Sequence, residues 1–103
     1  MENISEYEHK ELIDVLEELL LTIKAMRMKN NDYILAQNEQ DAKDWMNYLR
    51  EHTDKEELRS LENEISDRLF YKYDVEVERS ELDNKRVALI REYIYKSNRI
   101  LKL

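Results

Sequence analysis

The fold is decided by residues 12–28, LIDVLEELLLTIKAMRM. Stepping about 100° per residue, as in an α-helix, places most of the apolar side chains of this stretch within one arc about 160° wide. These core-facing side chains are Leu12, Ile13, Val15, Leu16, Leu19, Leu20, Ile23 and Met26. Leu21, Ala25 and Met28 lie on the opposite side, so the helix carries apolar side chains on two faces. We therefore expect a central helix that contacts more than one neighbour.

The composition favours one soluble, all-helical domain that spans residues 1–103. The chain contains no glycine, proline or cysteine, 40% of its residues are charged and 42% are hydrophobic. Amphipathic helices have this composition, whereas a disordered chain has fewer hydrophobic residues. No apolar run approaches the roughly 18 residues of a membrane span, and the acidic first residues do not resemble a secretory signal. A cytoplasmic location is the expectation.

The missing residue types disfavour several enzyme classes. Phosphate-binding loops and nucleophile elbows need glycine, and a chain without cysteine has no thiol nucleophile, disulfide or thiolate metal ligand. Residues 6–9, Glu-Tyr-Glu-His, have the Glu-x-x-His spacing of di-iron bundles. Such sites need this motif on two helices, and it occurs once in this chain. We expect no metal, no cofactor and no enzymatic activity.

Side-chain caps replace glycine at the predicted helix ends. Residues 5–8, Ser-Glu-Tyr-Glu, have the S-x-x-E pattern of a capping box and predict the start of the first helix. Residues 53–56, Thr-Asp-Lys-Glu, have the T-x-x-E pattern and predict the start of the third helix, after a turn at residues 51–53. Residues 80–83, Ser-Glu-Leu-Asp, resemble a third capping box and predict that the fourth helix begins at about Glu81.

The second helix is expected from Tyr33 to Arg50. A turn at residues 30–32 precedes it, because asparagine there can adopt the left-handed conformation that glycine usually supplies. The polar run at residues 37–41 interrupts the apolar repeat, and Asn38 within this run points in the same direction as the core side chains. We interpret the run as a partly exposed helix or a local break. The alternative is a buried asparagine that fixes the register between helices.

Residues 71–78, YKYDVEVE, alternate apolar and polar side chains, which is typical of a strand. Because no second strand candidate exists to pair with them, a helix or an irregular connection is favoured, with pairing between molecules as the alternative. Four helices joined by short connections predict an antiparallel helical bundle. Its core is small enough to favour an oligomer. The alternative merges helices 3 and 4 into one long rod within a dimer.

Tyrosines and apolar side chains outside the core predict a protein interface. Tyr71 and Tyr73, like Tyr93 and Tyr95, are spaced two residues apart, so one tyrosine of each pair must leave the core of a helix. Exposed tyrosines are frequent in interfaces, although ordinary surface tyrosines are the alternative. The candidate protein interface consists of Leu21, Met28, Tyr71 and Tyr95. Its partner is expected to be another protein, a second copy of the chain, or both.

The net charge of −7 conceals a basic last helix. Residues 84–103 carry six basic side chains and one acidic side chain. The candidate patch for an anionic partner consists of Lys85, Arg91, Lys96 and Arg99, with Tyr95 among them. In one interpretation these residues pair with the acidic helices of the same chain. In the other they bind an external anion, such as a nucleic acid.

These observations predict a non-enzymatic protein that binds another protein through its helix faces, as a small acidic regulator, inhibitor or adaptor. The scarcity of glycine and proline beside abundant asparagine, lysine, isoleucine and glutamate suggests an AT-rich coding source, such as a low-GC bacterium or its phage. The alternatives are nucleic-acid association through the basic last helix and a structural role in a larger assembly.

Overall fold

The computed structural model describes residues 3–29, 33–68 and 81–102, which form four α-helices. The helices are α1 (Glu6–Lys29), α2 (Tyr33–Glu51), α3 (Lys55–Arg68) and α4 (Glu81–Leu101). The predicted all-helical class and helix number are confirmed for this part of the chain. The turn predicted at residues 30–32, the strand-like segment at 71–78 and the cap at Ser80 lie outside the described residues.

Helix α1 packs against both α2 and α4, as expected for a central helix. Ion pairs define the direction of α4. Lys85, near the start of α4, lies 3.6 Å from Glu18, whereas Arg99, near its end, lies 3.0 Å from Glu11. α4 is therefore antiparallel to α1. The molecule extends 43 Å along its longest axis and 22 Å and 18 Å across it.

Helix α3 packs against α4 and α2. Arg59, near the start of α3, donates a hydrogen bond to the carbonyl oxygen of Leu101 at the end of α4, at 2.5 Å. One turn further along α3, Glu62 accepts a hydrogen bond from Ser97 at 3.2 Å. α3 and α4 thus lie antiparallel, side by side. The alternative of one continuous rod from helices 3 and 4 is wrong, because α4 folds back along α3.

The core lies between the inward stripes of all four helices. α1 contributes the longest stripe, in which Leu12, Leu16, Leu19 and Ile23 are fully buried. The other helices contribute Trp45, Leu49, Leu58, Ile65, Ile90 and Tyr93, among others. Burying a large apolar side chain contributes about 1.5–3 kcal/mol, so this stripe supplies much of the driving force for folding. None of the helices among the described residues is both long and apolar enough to cross a membrane.

Side chains cap the N-termini of α1 and α3. At α1 the backbone N–H of Ser5 donates to Glu8 (2.9 Å) and the N–H of Glu8 donates to Ser5 Oγ (3.1 Å), which confirms the predicted capping box. At α3 the prediction of Thr53 as the cap is wrong. Asp54 Oδ1 accepts the N–H groups of Glu56 (2.9 Å) and Glu57 (3.3 Å), so the helix begins one residue later. A carboxylate so close to the helix start also complements the helix dipole.

The residues before α1 lie across the connection between α2 and α3. The N–H of Ile4 donates to the carbonyl oxygen of Thr53 at 2.9 Å, and Asn3 forms an isolated antiparallel bridge with Asp54. The Ile4 side chain is 6% exposed and belongs to the core. The segment before α1 therefore fixes the α2–α3 corner to the rest of the bundle.

Candidate functional site

One side of α1 faces away from the bundle along the whole helix. We call this side the α1 outer face, and define it by seven residues spaced three or four apart, a spacing that keeps them on one side of a helix. They are Tyr7, Lys10, Asp14, Glu17, Leu21, Lys24 and Met28, and all seven are exposed. Leu21 is 65% exposed and Met28 is 89% exposed. The helix with the best-buried inner stripe therefore also presents apolar side chains outward.

The structure brings together only part of the predicted protein interface. Leu21 and Met28 share the α1 outer face, but Tyr95 lies on α4 beside Lys96, which pairs with Glu11 near the start of α1. Tyr95 is 68% exposed, but because α4 is antiparallel to α1 it lies far from Met28. Tyr93, two residues before Tyr95 on α4, is fully buried. Tyr71 lies outside the described residues.

Two exposed tyrosines were missing from the sequence prediction. Tyr7 is 77% exposed at the start of the α1 outer face, and Tyr33 is 80% exposed at the start of α2, next to the end of α1 at which Met28 lies. The positions of Tyr7, Leu21 and Met28 differ by multiples of seven, which a search for heptad spacing would have found. No local pattern marks Tyr33.

In the patch predicted to bind an anion, Lys85, Lys96 and Arg99 lie within ion-pair distance of described carboxylates. Lys85 lies 3.6 Å from Glu18. Lys96 lies 3.7 Å from Glu11 and 3.1 Å from Glu92, and Arg99 lies 3.0 Å from Glu11. Arg91 lies about 140° around α4 from Lys96, so it belongs to another side of the helix. The contacts favour pairing with the chain's own acidic residues over a separate anion-binding face.

A buried polar cluster joins α2 to α4. Arg86, 8% exposed, donates from Nη1 to Asn38 Oδ1 at 2.7 Å and from Nη2 to Asp83 Oδ1 at 2.6 Å. Asn38 is fully buried and donates to the carbonyl oxygen of Ile34 at 2.6 Å. The local break is wrong, because α2 is continuous through this run. The run is a partly exposed helix, in which Gln40 is exposed whereas Asn38 is buried against a charged partner. The buried-asparagine alternative agrees with the structure.

The two histidines have local structural contacts. His9 Nε2 lies 2.6 Å from the carbonyl oxygen of Leu49, linking α1 to α2. His52 Nδ1 contacts the Glu57 carboxylate, and its ring stacks on Tyr48 with the centroids 4.1 Å apart. In residues 3–29, 33–68 and 81–102, no three histidine or carboxylate side chains are grouped as metal ligands would be.

A shallow cleft of about 370 Å³ lies between α3 and the end of α4. Its lining residues are Arg59, Glu62, Asn63, Asn98, Leu101 and Lys102. Beneath it, burial and then the negative charge of Glu62 raise the pKa of Tyr93. The Tyr93 hydroxyl forms no hydrogen bond with any described residue. The lining residues include no serine, threonine, cysteine or histidine.

Comparisons of this chain with protein families, curated proteins and solved structures find no match. The candidate site therefore depends on geometry alone. The α1 outer face combines large exposed side chains with charged residues of both signs on one helix. We take it as the candidate functional site.

Proposed function

We propose that this chain is a non-enzymatic protein that binds other polypeptides through the α1 outer face, as a small acidic regulator, inhibitor or adaptor. The observation that carries the proposal is the exposure of Tyr7, Leu21 and Met28, at 77%, 65% and 89%, on one side of the helix that also organises the core. Isolated apolar side chains are common on protein surfaces. Leu21 and Met28 are seven residues apart, which is one of the spacings by which helices dock into the grooves of partners, and Tyr7 lies on the same face.

The physical gain from a partner comes from removing these side chains from water. Full burial of one leucine or methionine contributes about 1.5–3 kcal/mol. Tyrosine adds a large contact area at a small cost in side-chain entropy. The charged residues between them, Lys10, Asp14, Glu17 and Lys24, supply both signs of charge. A partner with the opposite order of charges would be selected over others.

The basic residues of α4 support nucleic-acid binding less well than the α1 outer face supports protein binding. A phosphate would have to compete with Glu11 for both Lys96 and Arg99, and with Glu18 for Lys85. The net charge of −7 also repels a polyanion. A role as a component of a larger assembly uses the same apolar face and is a form of the proposed function.

Site-specific photocrosslinking tests the proposal. A photoreactive amino acid replaces Leu21 in the full chain, and in a matched control it replaces Asn47, which is exposed on α2. After irradiation in an extract of the source cells, mass spectrometry identifies each crosslinked polypeptide and the position of the crosslink. We expect defined crosslinks from position 21, absent from position 47 and lost when Lys24→Glu is added. Equal crosslinking from both positions, or none from position 21, would contradict the proposal.

A further inference from the structure

We infer that the partner of the α1 outer face is a second copy of this chain, bound with the two α1 helices antiparallel and a two-fold axis close to Leu21. This inference rests on the proposed function, since it names the occupant of the same face. A two-fold interface must be complementary to itself, because each surface patch meets its own copy. The charges of α1 meet this condition, and Leu21 meets it by lying at the axis.

The charge of α1 changes sign along the helix. Residues 6–18 carry six acidic side chains and one basic side chain, whereas residues 19–29 carry three basic side chains and no acidic one. An antiparallel pairing places the acidic half of one copy opposite the basic half of the other. A parallel pairing would place like charges opposite each other, which is unfavourable.

Two charged residues of the α1 outer face, Glu17 and Lys24, also lie opposite unlike charges in an antiparallel pair. Glu17 and Lys24 are seven residues apart, so they lie on the same flank of the helix, on opposite sides of Leu21. In an antiparallel pair, Glu17 of each copy lies opposite Lys24 of the other. Glu17 lies 4.0 Å from Arg50 but keeps 51% of its side chain exposed. Lys24 forms no ion pair within the described part of the chain.

The exposed large side chains of α1 lie at different distances from this axis. Leu21 lies near the axis and meets its own copy. Tyr7 precedes Leu21 by about 21 Å along the helix, and Met28 follows Leu21 by about 10 Å. Antiparallel packing brings Tyr7 of one copy towards the end at which the other copy exposes Met28 and Tyr33. The contact therefore has Leu21 at its centre and extends towards the large exposed side chains at both ends.

The size of the contact sets the expected affinity. α1 has 24 residues and is therefore about 36 Å long. A contact between one pair of helices of this length is at the small end of specific interfaces. We therefore expect a dimer with a dissociation constant in the micromolar range, so that its population depends on concentration in ordinary biophysical experiments.

Sedimentation velocity over a concentration series, from about 1 to 200 µM, tests the inference with the full chain. The molar mass should rise from 12.7 kDa towards twice that value. Leu21→Glu should weaken the dimer at least tenfold by placing two carboxylates at the axis. Lys24→Glu should weaken it about three- to tenfold, because the substitution sets two carboxylates opposite each other at each of two equivalent positions.

A charge swap provides the decisive control. The double variant Glu17→Lys/Lys24→Glu exchanges the partners and should restore affinity to within about threefold of the unmodified chain. Lys102→Glu changes the net charge as Lys24→Glu does, but just after the end of α4, and should have no effect. Circular dichroism verifies that each variant is folded.

A chain that stays at 12.7 kDa throughout the series, or a double variant that dimerises no more tightly than Lys24→Glu, would overturn the inference. Crosslinks from position 21 to a different protein would then leave the proposed function intact. The absence of any crosslink from position 21 would contradict both the dimer inference and the proposed function.

Discussion

Arg86→Met removes the charged centre of the polar cluster between α2 and α4. Methionine keeps most of the length of the side chain but cannot donate a hydrogen bond. The substitution leaves Asn38 Oδ1 without its donor at 2.7 Å and Asp83 Oδ1 without its donor at 2.6 Å. Because Arg86 is 8% exposed, water has little access to the vacated position. We therefore expect a large loss of stability from a substitution that changes no apolar contact of the core stripe.

The expected loss of stability depends on how exposed the two partners of Arg86, Asn38 and Asp83, are to water. Removing one member of a buried ion pair costs about 3–5 kcal/mol. The Asp83 side chain is 18% exposed, so water solvates part of its carboxylate, and we expect the lower end, about 3 kcal/mol. Asn38→Leu removes a neutral acceptor and should cost about 1–3 kcal/mol. Because both substitutions disrupt the same hydrogen bond, the double variant should cost less than the sum of the two.

Urea unfolding followed by circular dichroism measures these differences in the free energy of unfolding. Arg50→Met is the matched control, because Arg50 lies 4.0 Å from Glu17 and both side chains are about half exposed. The control should cost less than about 1 kcal/mol. If Arg86→Met is no more destabilising than Arg50→Met, or if the double variant is simply additive, the cluster does not join α2 to α4 as argued.

Three further predictions concern the helix caps, the buried tyrosine and the basic helix. Asp54→Ala should lower the free energy of unfolding by about 1 kcal/mol, and Thr53→Ala should lower it by less. If thermal unfolding shows that Thr53→Ala is the more destabilising of the two, Thr53 is the cap. Burial raises the pKa of Tyr93 above its unfolded value of about 10, so the unfolded chain loses this proton first and the stability of the fold declines as the pH rises above 10. Tyr93→Phe should remove that decline and stabilise the fold at neutral pH, because it deletes a buried hydroxyl that no described residue bonds; unchanged alkaline unfolding would refute this. Fluorescence anisotropy with duplex DNA at low salt should show no binding below about 50 µM, and salt-dependent binding would instead favour the basic residues of α4.

Local periodicity predicted the helices because the residues that decide it are close in sequence. The inner stripe of α1 and the Ser5 capping box depend on spacings of three and four residues, and both agree with the structure. Thr53 and Asp54 are adjacent and both are good caps, so the pattern alone could not choose between them. The choice depends on the backbone geometry of the connection, which also involves Ile4.

The interactions that the sequence did not predict are long-range. Helical spacing placed Asn38 on the core side of α2, but its partner Arg86 is 48 residues away and had been grouped with the basic helix. Similarly, the carboxylates that pair with α4 belong to α1, and only the antiparallel packing of the two helices brings them together. The outward positions of Leu21 and Met28 could be predicted because they depend only on the helical angle.

The hydrogen bond from Ile4 to Thr53 makes two distant parts of the chain open together. The Ile4 amide can exchange its hydrogen with solvent only when the segment before α1 separates from the α2–α3 corner. Its exchange rate therefore measures how often the contact between Ile4 and Thr53 opens, separately from global unfolding. A peptide tag joined ahead of Ile4 would be held beside the start of α3, away from the end of α1 where Met28 is exposed.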